Sequence, residues 1–205
     1  MESRSPVEAN IVATALKLFN ESGVEYVGMR ELATSLGLRI GNLTYYFPTK
    51  DDLVNRLALE LAEENNRIIV PLEDVTIEQF FEMLEKVFRN HLKYRCLMLS
   101  FVHIMKRNPL VAKRYSKVQT VRNAVWLTNI EALKKSRYIS ANKKEVEFLV
   151  SSIALIARFW ISEAAVSFKD TTEDEQIQYY LKMIARIFQP YATEKATPFI
   201  EKFLR

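Results

Sequence analysis

Two adjacent tyrosines, Tyr45 and Tyr46, stand in the stretch LRIGNLTYYFPTK, with Gly41, Asn42 and Thr44 just ahead of them and Lys50 just behind. Phenol, amide and hydroxyl groups exchange hydrogen bonds with polar partners, an ammonium attracts anions, and a glycine lets the backbone approach another surface closely. None of these residues forms a nucleophile and base pair. Elsewhere, His91 and His103 are twelve residues apart with no carboxylate between them, and there is no Glu-x-x-His pair, phosphate loop or Ser-His-Asp pattern. Cys96 is the single cysteine, so neither an intramolecular disulfide nor a multi-cysteine metal site can form. The expectation is binding chemistry, with no catalytic residues, no cofactor and no metal.

The elements around this stretch say what is bound. On a helical wheel Ile40, Leu43 and Phe47 share one side of a short helix, Tyr45 points almost directly away, Gly41 and Asn42 lie on that outer face, and Tyr46 is marginal. An outward tyrosine on a two-turn helix has no packing reason to be there. In MRELATSLGLRIGNLTYYF, Ala33 lets two helices approach, Gly37 allows a tight turn, and Leu32, Leu36, Leu38 and Leu43 fill the core between them. This is helix-turn-helix chemistry, in which the second helix enters the major groove of duplex DNA and its outward side chains reach base edges. Ahead of it, Ser5, Pro6 and Glu8 start a helix that ends near Ser22, before Gly23. Thr49, with Asp52, caps a fourth helix that fades between Arg67 and Pro71.

Three blocks in order, IVATALKLFNESG, MRELATSLG and GNLTYYFPTKDDL, resemble the N-terminal domain of the TetR family of bacterial transcriptional regulators over roughly residues 8 to 57. The rest of the chain resembles the family in length and helical layout. The resemblance implies a homodimeric repressor whose small N-terminal domain binds a palindromic double-stranded DNA operator, and whose larger domain dimerises and binds a small-molecule effector. It also implies a recognition helix from Ile40 to Phe47. Gly41, Thr44, Tyr45 and Tyr46 then stand where the family contacts bases or phosphates, and Lys50 matches a frequent phosphate-binding lysine. Arg30, Arg39, Ile40 and Asn42 complete the expected DNA-binding set. Two positions depart from the family pattern. Gly28-Met29 replaces a hydroxyl cap at helix 2, where Glu31 at N3 still supports the start, and Arg39 replaces a small hydroxyl residue before helix 3. Arg39 offers a charged contact to a phosphate or a guanine edge in exchange.

The expected architecture is all-α, with a helix-turn-helix domain over residues 1–52 joined through helix 4 to a helical effector-binding and dimerisation domain over 53–205. Thr76 with Gln79 starts a helix through Phe80, Leu84, Val87 and Phe88; Asn108-Pro109 interrupts the next segment; long helices follow from about Val111, Lys143 and Thr172. A short tail helix begins near Pro198. Phe148 to Val166 is about the length of a membrane span, but Arg158 and Glu163 fall inside it, so a buried helix and no membrane partner are expected. One globular core cannot easily hide both this helix and the seam after Thr172. Ile153, Ala157, Trp160, Ala164, Ile177, Tyr180, Leu181, Ile184 and Phe188 are therefore expected at a dimer interface. Phe88, Tyr94, Met98, Phe101, Met105, Trp126 and Trp160 are the candidates for lining an effector pocket.

Charge separates the two parts. The chain carries 29 Lys and Arg against 25 Asp and Glu, while residues 1–50 hold five of each sign. Ten Lys and Arg and no acidic residue lie between Lys86 and Ile130. That surface serves solvation, an anionic or acyl-type effector, or DNA; the sequence leaves the three open. A lone cysteine and the absence of a signal-peptide pattern fit a reducing cytoplasm. The alternatives to an effector-responsive regulator are a helix-turn-helix protein controlled by a partner protein and, with less support, a small helical enzyme.

Overall fold

A computed structural model describes residues 5–205, among which eleven α-helices, one 3-10 turn and an isolated bridge between Ile139 and Ala192 make up the regular structure. The helices are α1 (Pro6–Ser22), α2 (Met29–Ser35), α3 (Ile40–Tyr46), α4 (Lys50–Ile68), α5 (Ile77–Lys93) and α6 (Arg95–Leu99). They continue with α7 (Phe101–Arg107), α8 (Pro109–Lys135), α9 (Lys143–Ser167), α10 (Glu173–Phe188) and α11 (Thr197–Leu204). The fold is all-α, as expected.

Local chemistry sets the boundaries. Ser5 Oγ accepts from the Glu8 amide at 3.2 Å to start α1. Reciprocal boxes start α5 (Thr76 with Gln79), α9 (Asn142 with Glu145) and α10 (Thr172 with Glu175). Each cap is worth about 1 kcal/mol, because it satisfies amides that would otherwise lack an intrahelical partner. α1 stops at Gly23, whose φ of 92° is costly for any other residue, and Gly37 turns the chain between α2 and α3 at φ 65°. Between α7 and α8, Pro109 has no amide to donate and Asn108 Oδ1 accepts from Val111 N at 3.1 Å.

The chain forms two compact units, each built from two stretches of sequence. The first runs to Glu63 and takes in Tyr94–Ser116; the second holds Glu64–Lys93 and Lys117–Arg205. In the first, Ile11, Val12, Ala15 and Phe19 of α1 pack with Leu32 and Ala33 of α2, Leu43 of α3, and Leu53, Val54 and Leu57 of α4. Cys96, Leu97, Ile104 and Val111 complete that core from the far stretch. Hydrogen bonds fasten the join, among them Cys96 N donating to Asn20 Oδ1 at 3.0 Å and Ser100 Oγ donating to Glu25 at 2.8 Å. The apolar pattern of α4 already implies that it closes the small core, whereas nothing local in the sequence points to α6 and α7.

In the second unit α10 packs against α5, α9 and α11. The residues expected at a dimer interface are mostly spent on the chain's own core. Ile153, Trp160, Ala164, Ile177, Tyr180, Leu181, Ile184 and Phe188 are all 3% exposed or less within one protomer, and Ala157 is half-buried. The most regular apolar stripes of α9 and α10 are spent on α5 and on each other, so these residues have no surface to offer. α9 is long and apolar enough to cross a membrane by length and composition, yet one of its faces lies in this core. Its opposite face carries Phe148 (52% exposed), Leu155 (57%) and Val166 (81%), and α10 adds exposed Tyr179 and Met183.

Candidate nucleic-acid interface

α3 is seven residues long and is anchored through Leu43, fully buried, and by Phe47 just past its end. The other side is free. Tyr45 is 82% exposed, and its ring meets that of half-buried Tyr46 edge-on at 5.2 Å, which fixes the direction of both phenols. Gly41 and Asn42 are exposed beside them. A Cβ added at Gly41 would meet nothing within 4 Å, so the glycine is not needed for packing in the chain itself. Thr44 donates its hydroxyl to the carbonyls of Ile40 and Gly41 at 3.1 and 3.3 Å, leaving its lone pairs and methyl group outward.

Ile40 departs from the wheel. The wheel groups it with Leu43 and Phe47 as an anchor, but it is 42% exposed, because as the first residue of α3 it lies beyond the reach of the α2 core. Arg39 occupies the cap position in extended geometry (φ −70°, ψ 145°) with no side-chain capping bond. Arg30 and Arg39 are exposed, and neither forms an ion pair among the described residues. α2 starts without a hydroxyl cap, and Glu31 accepts from the Gly28 amide at 3.4 Å, as the sequence suggests.

Lys50 does something else. Its Nζ donates to the carbonyls of Val24, Glu25 and Val27 at 2.9, 3.2 and 3.2 Å, which occupies all three ammonium protons. The lysine therefore latches the start of α4 to the turn between α1 and α2, and no proton remains for a phosphate. In that same turn stands a residue absent from the expected set: Tyr26 is 83% exposed between buried Val24 and Val27. Its signal is an aromatic residue between two core valines, in a segment too short to show a period.

The seven effector candidates divide between the units. Tyr94, Met98, Phe101 and Met105 lie in the first, where Tyr94 is a core residue and Met105 packs against the same core. Phe88, Trp126 and Trp160 lie in the second, where Phe88 and Trp160 stack at 5.0 Å. Against that stack sits buried His91. The Trp160 indole donates to its Nδ1 at 3.3 Å, and the Asn65 side-chain amide lies 3.2 Å from its Nε2. Burial, helped by the nearby Arg122 charge, pushes the His91 pKa down to about 3. Cys96 is equally inert as a nucleophile, since burial pushes its thiol up to about 12.

A buried-anchor, exposed-reader helix behind a glycine turn defines a helix-turn-helix DNA-binding protein, and the comparisons with known proteins agree. Residues 11–57 match the family described as bacterial regulatory proteins of the tetR family, and residues 60–198 match TetR, described as a bacterial transcriptional repressor. The chain belongs to the TetR family of transcriptional regulators, which are not enzymes. Among solved structures, a TetR-family regulator from Marinobacter aquaeolei VT8 superimposes with a TM-score of 0.88 at 19% identity, covering 97% of this chain and 98% of that one. Salmonella enterica GusR gives 0.64 at 19% identity, over 90% and 96%. The ketosteroid regulator KstR2 of Mycobacterium tuberculosis gives 0.64 at 14% identity, over 95% and 97%. No curated protein matches.

Proposed function

We propose that the chain is an effector-responsive repressor that binds a palindromic operator as a homodimer in the cytoplasm. The observation that carries the DNA reading is the division of α3, with Leu43 fully buried and Tyr45 82% exposed on one two-turn helix. Arg39, Gly41, Asn42, Thr44, Tyr45 and Tyr46 read base edges, and Arg30 and Tyr26 position the backbone. In place of the buried residues, the exposed apolar face of Phe148, Leu155, Val166, Tyr179 and Met183 meets its symmetry mate. These are exposed large apolar side chains on two adjoining helices, which suits a second copy better than solvent. The effector acts on the second unit, where Phe88, Trp126 and Trp160 remain candidates, and it weakens DNA binding by a coupling free energy between the sites.

Selection from a random duplex pool tests this directly. The wild-type chain is expected to enrich a palindrome with half-sites about one helical turn, roughly 34 Å, apart or a multiple of it. Tyr45→Ala should lose about 1–3 kcal/mol of discrimination at one base step per half-site. Arg39→Ser should change the preferred bases at the adjoining position. Leu155→Glu should yield monomers by sedimentation and bind the palindrome far more weakly. No enriched sequence with folded wild-type protein would sink the reading.

A further inference from the structure

The basic stretch between Lys86 and Ile130 is divided by the fold between the two units. In the second unit two of its cations are ion-paired: Arg89 lies 2.7 Å from Glu85 and 2.8 Å from Asp174, and Lys93 lies 2.6 Å from Glu64. In the first unit Arg95, Lys106, Arg107 and Lys113 are exposed, and none of the four forms an ion pair among the described residues. Arg114 is held back, donating to Asn55 Oδ1 at 2.8 Å.

The effect on the first unit is large. Residues 1–63 hold six basic and nine acidic side chains, a net charge of −3, and Tyr94–Ser116 adds five basic and no acidic ones, giving +2. A unit built to meet duplex DNA, with one negative charge per about 1.7 Å of helix, is thus electropositive only because of its far stretch. That stretch is also fixed close to the reading helix. The corner between α7 and α8 is pinned to the first turn of α4, where Asn108 Nδ2 donates to the Asp51 carbonyl at 3.0 Å, and Asp51 follows the end of α3 by five residues. Lys106 and Arg107 immediately precede that corner, and Lys113 follows it by one turn of helix. The first turn of α4 carries Asp51 and Asp52, and Asp52 is occupied in accepting from the Thr49 amide and hydroxyl at 2.9 and 2.7 Å.

We infer that Lys106, Arg107 and Lys113 form a second DNA-binding surface, which grips the phosphate backbone flanking the bases read by α3. It rests on the DNA-binding reading above and adds affinity without sequence preference, since ammonium and guanidinium groups meet phosphates alike at every sequence. It also gives these three cations a partner of opposite charge.

The test uses the full chain and a duplex of arbitrary sequence about 30 base pairs long, with binding followed between about 50 and 200 mM salt. Replacing Lys106, Arg107 and Lys113 together by Gln should flatten the log-log salt slope by about 2 to 3 per protomer engaged, at close to 0.9 for each phosphate no longer neutralised. A control removes three charges from the second unit, Lys143→Gln, Lys144→Gln and Lys182→Gln, and should leave the slope unchanged. All six side chains are exposed or half-buried on helix surfaces, so both variants should melt like the wild type. An unchanged slope in the first variant, or an equal change in both, overturns the inference while leaving the reading by α3 intact. Wild-type protein that binds no duplex at any salt would instead overturn the DNA-binding reading itself.

Discussion

Gly41 and Lys50 sit nine positions apart and answer to opposite demands. Nothing in the chain lies within 4 Å of where a Gly41 side chain would begin, so Gly41→Ala should raise helix stability by up to about 1 kcal/mol through propensity alone. Any loss of DNA affinity in that variant would then report the partner's approach and not a damaged fold. Lys50→Met should do the reverse, leaving three carbonyls of the α1 to α2 turn without their donor and costing about 1–3 kcal/mol by thermal melting, while the salt slope of DNA binding stays put. A slope reduced by one with unchanged stability would restore Lys50 to the phosphate. The sequence shows that both residues matter, because their spacing from the tyrosines is right. It cannot show which way the lysine turns, since three carbonyls from residues 24–27 come within its reach only after the fold closes.

Elements are more legible than single residues. Capping pairs and apolar periods locate α1 to α4 and the starts of α5, α9, α10 and α11 within a residue or two, because those signals are local and chemical. The same periods mislead at α9 and α10, where a stripe strong enough to look like an interface is strong enough to be taken by the core. His91 lies where the end of α4 and the faces of α5 and α9 meet, and its burial has a consequence in solution. Its folded pKa of about 3 is below the unfolded value of 6.5, so below pH 6.5 the unfolded chain takes up a proton that the folded chain refuses. Stability should therefore fall as pH drops from 6.5 toward 3, by up to about 1.4 kcal/mol per pH unit from this group, and be unaffected by it above 6.5. Comparing denaturant midpoints of the wild type and His91→Gln between pH 6.5 and 5 isolates the effect. Carboxylates such as Glu175, whose pKa is lowered by hydrogen bonds from Thr172, act only at lower pH. Parallel slopes in the two proteins would rule out the buried neutral ring.

At the scale of the whole molecule, the sequence suggests a boundary between functions at residue 52, a single cut in a linear chain. Contacts between residues as far apart as Asn20 and Cys96 leave no local trace, which is why the return of the chain to the first unit is invisible in the sequence. That return limits how such a gene can recombine. The segment matched by the DNA-binding family ends at residue 57, yet the unit it belongs to draws Cys96, Leu97, Ile104 and Val111 of its core, and all its positive excess, from residues 94–116. A fragment of residues 1–63 is expected to be unfolded by circular dichroism and to bind DNA weakly, and a hybrid joining it to another regulator's second unit should fail unless residues 94–116 travel with it. Evolution can exchange the reading face of α3 one side chain at a time, but it cannot hand this DNA-binding unit to another protein through one crossover, because the unit is written in two places.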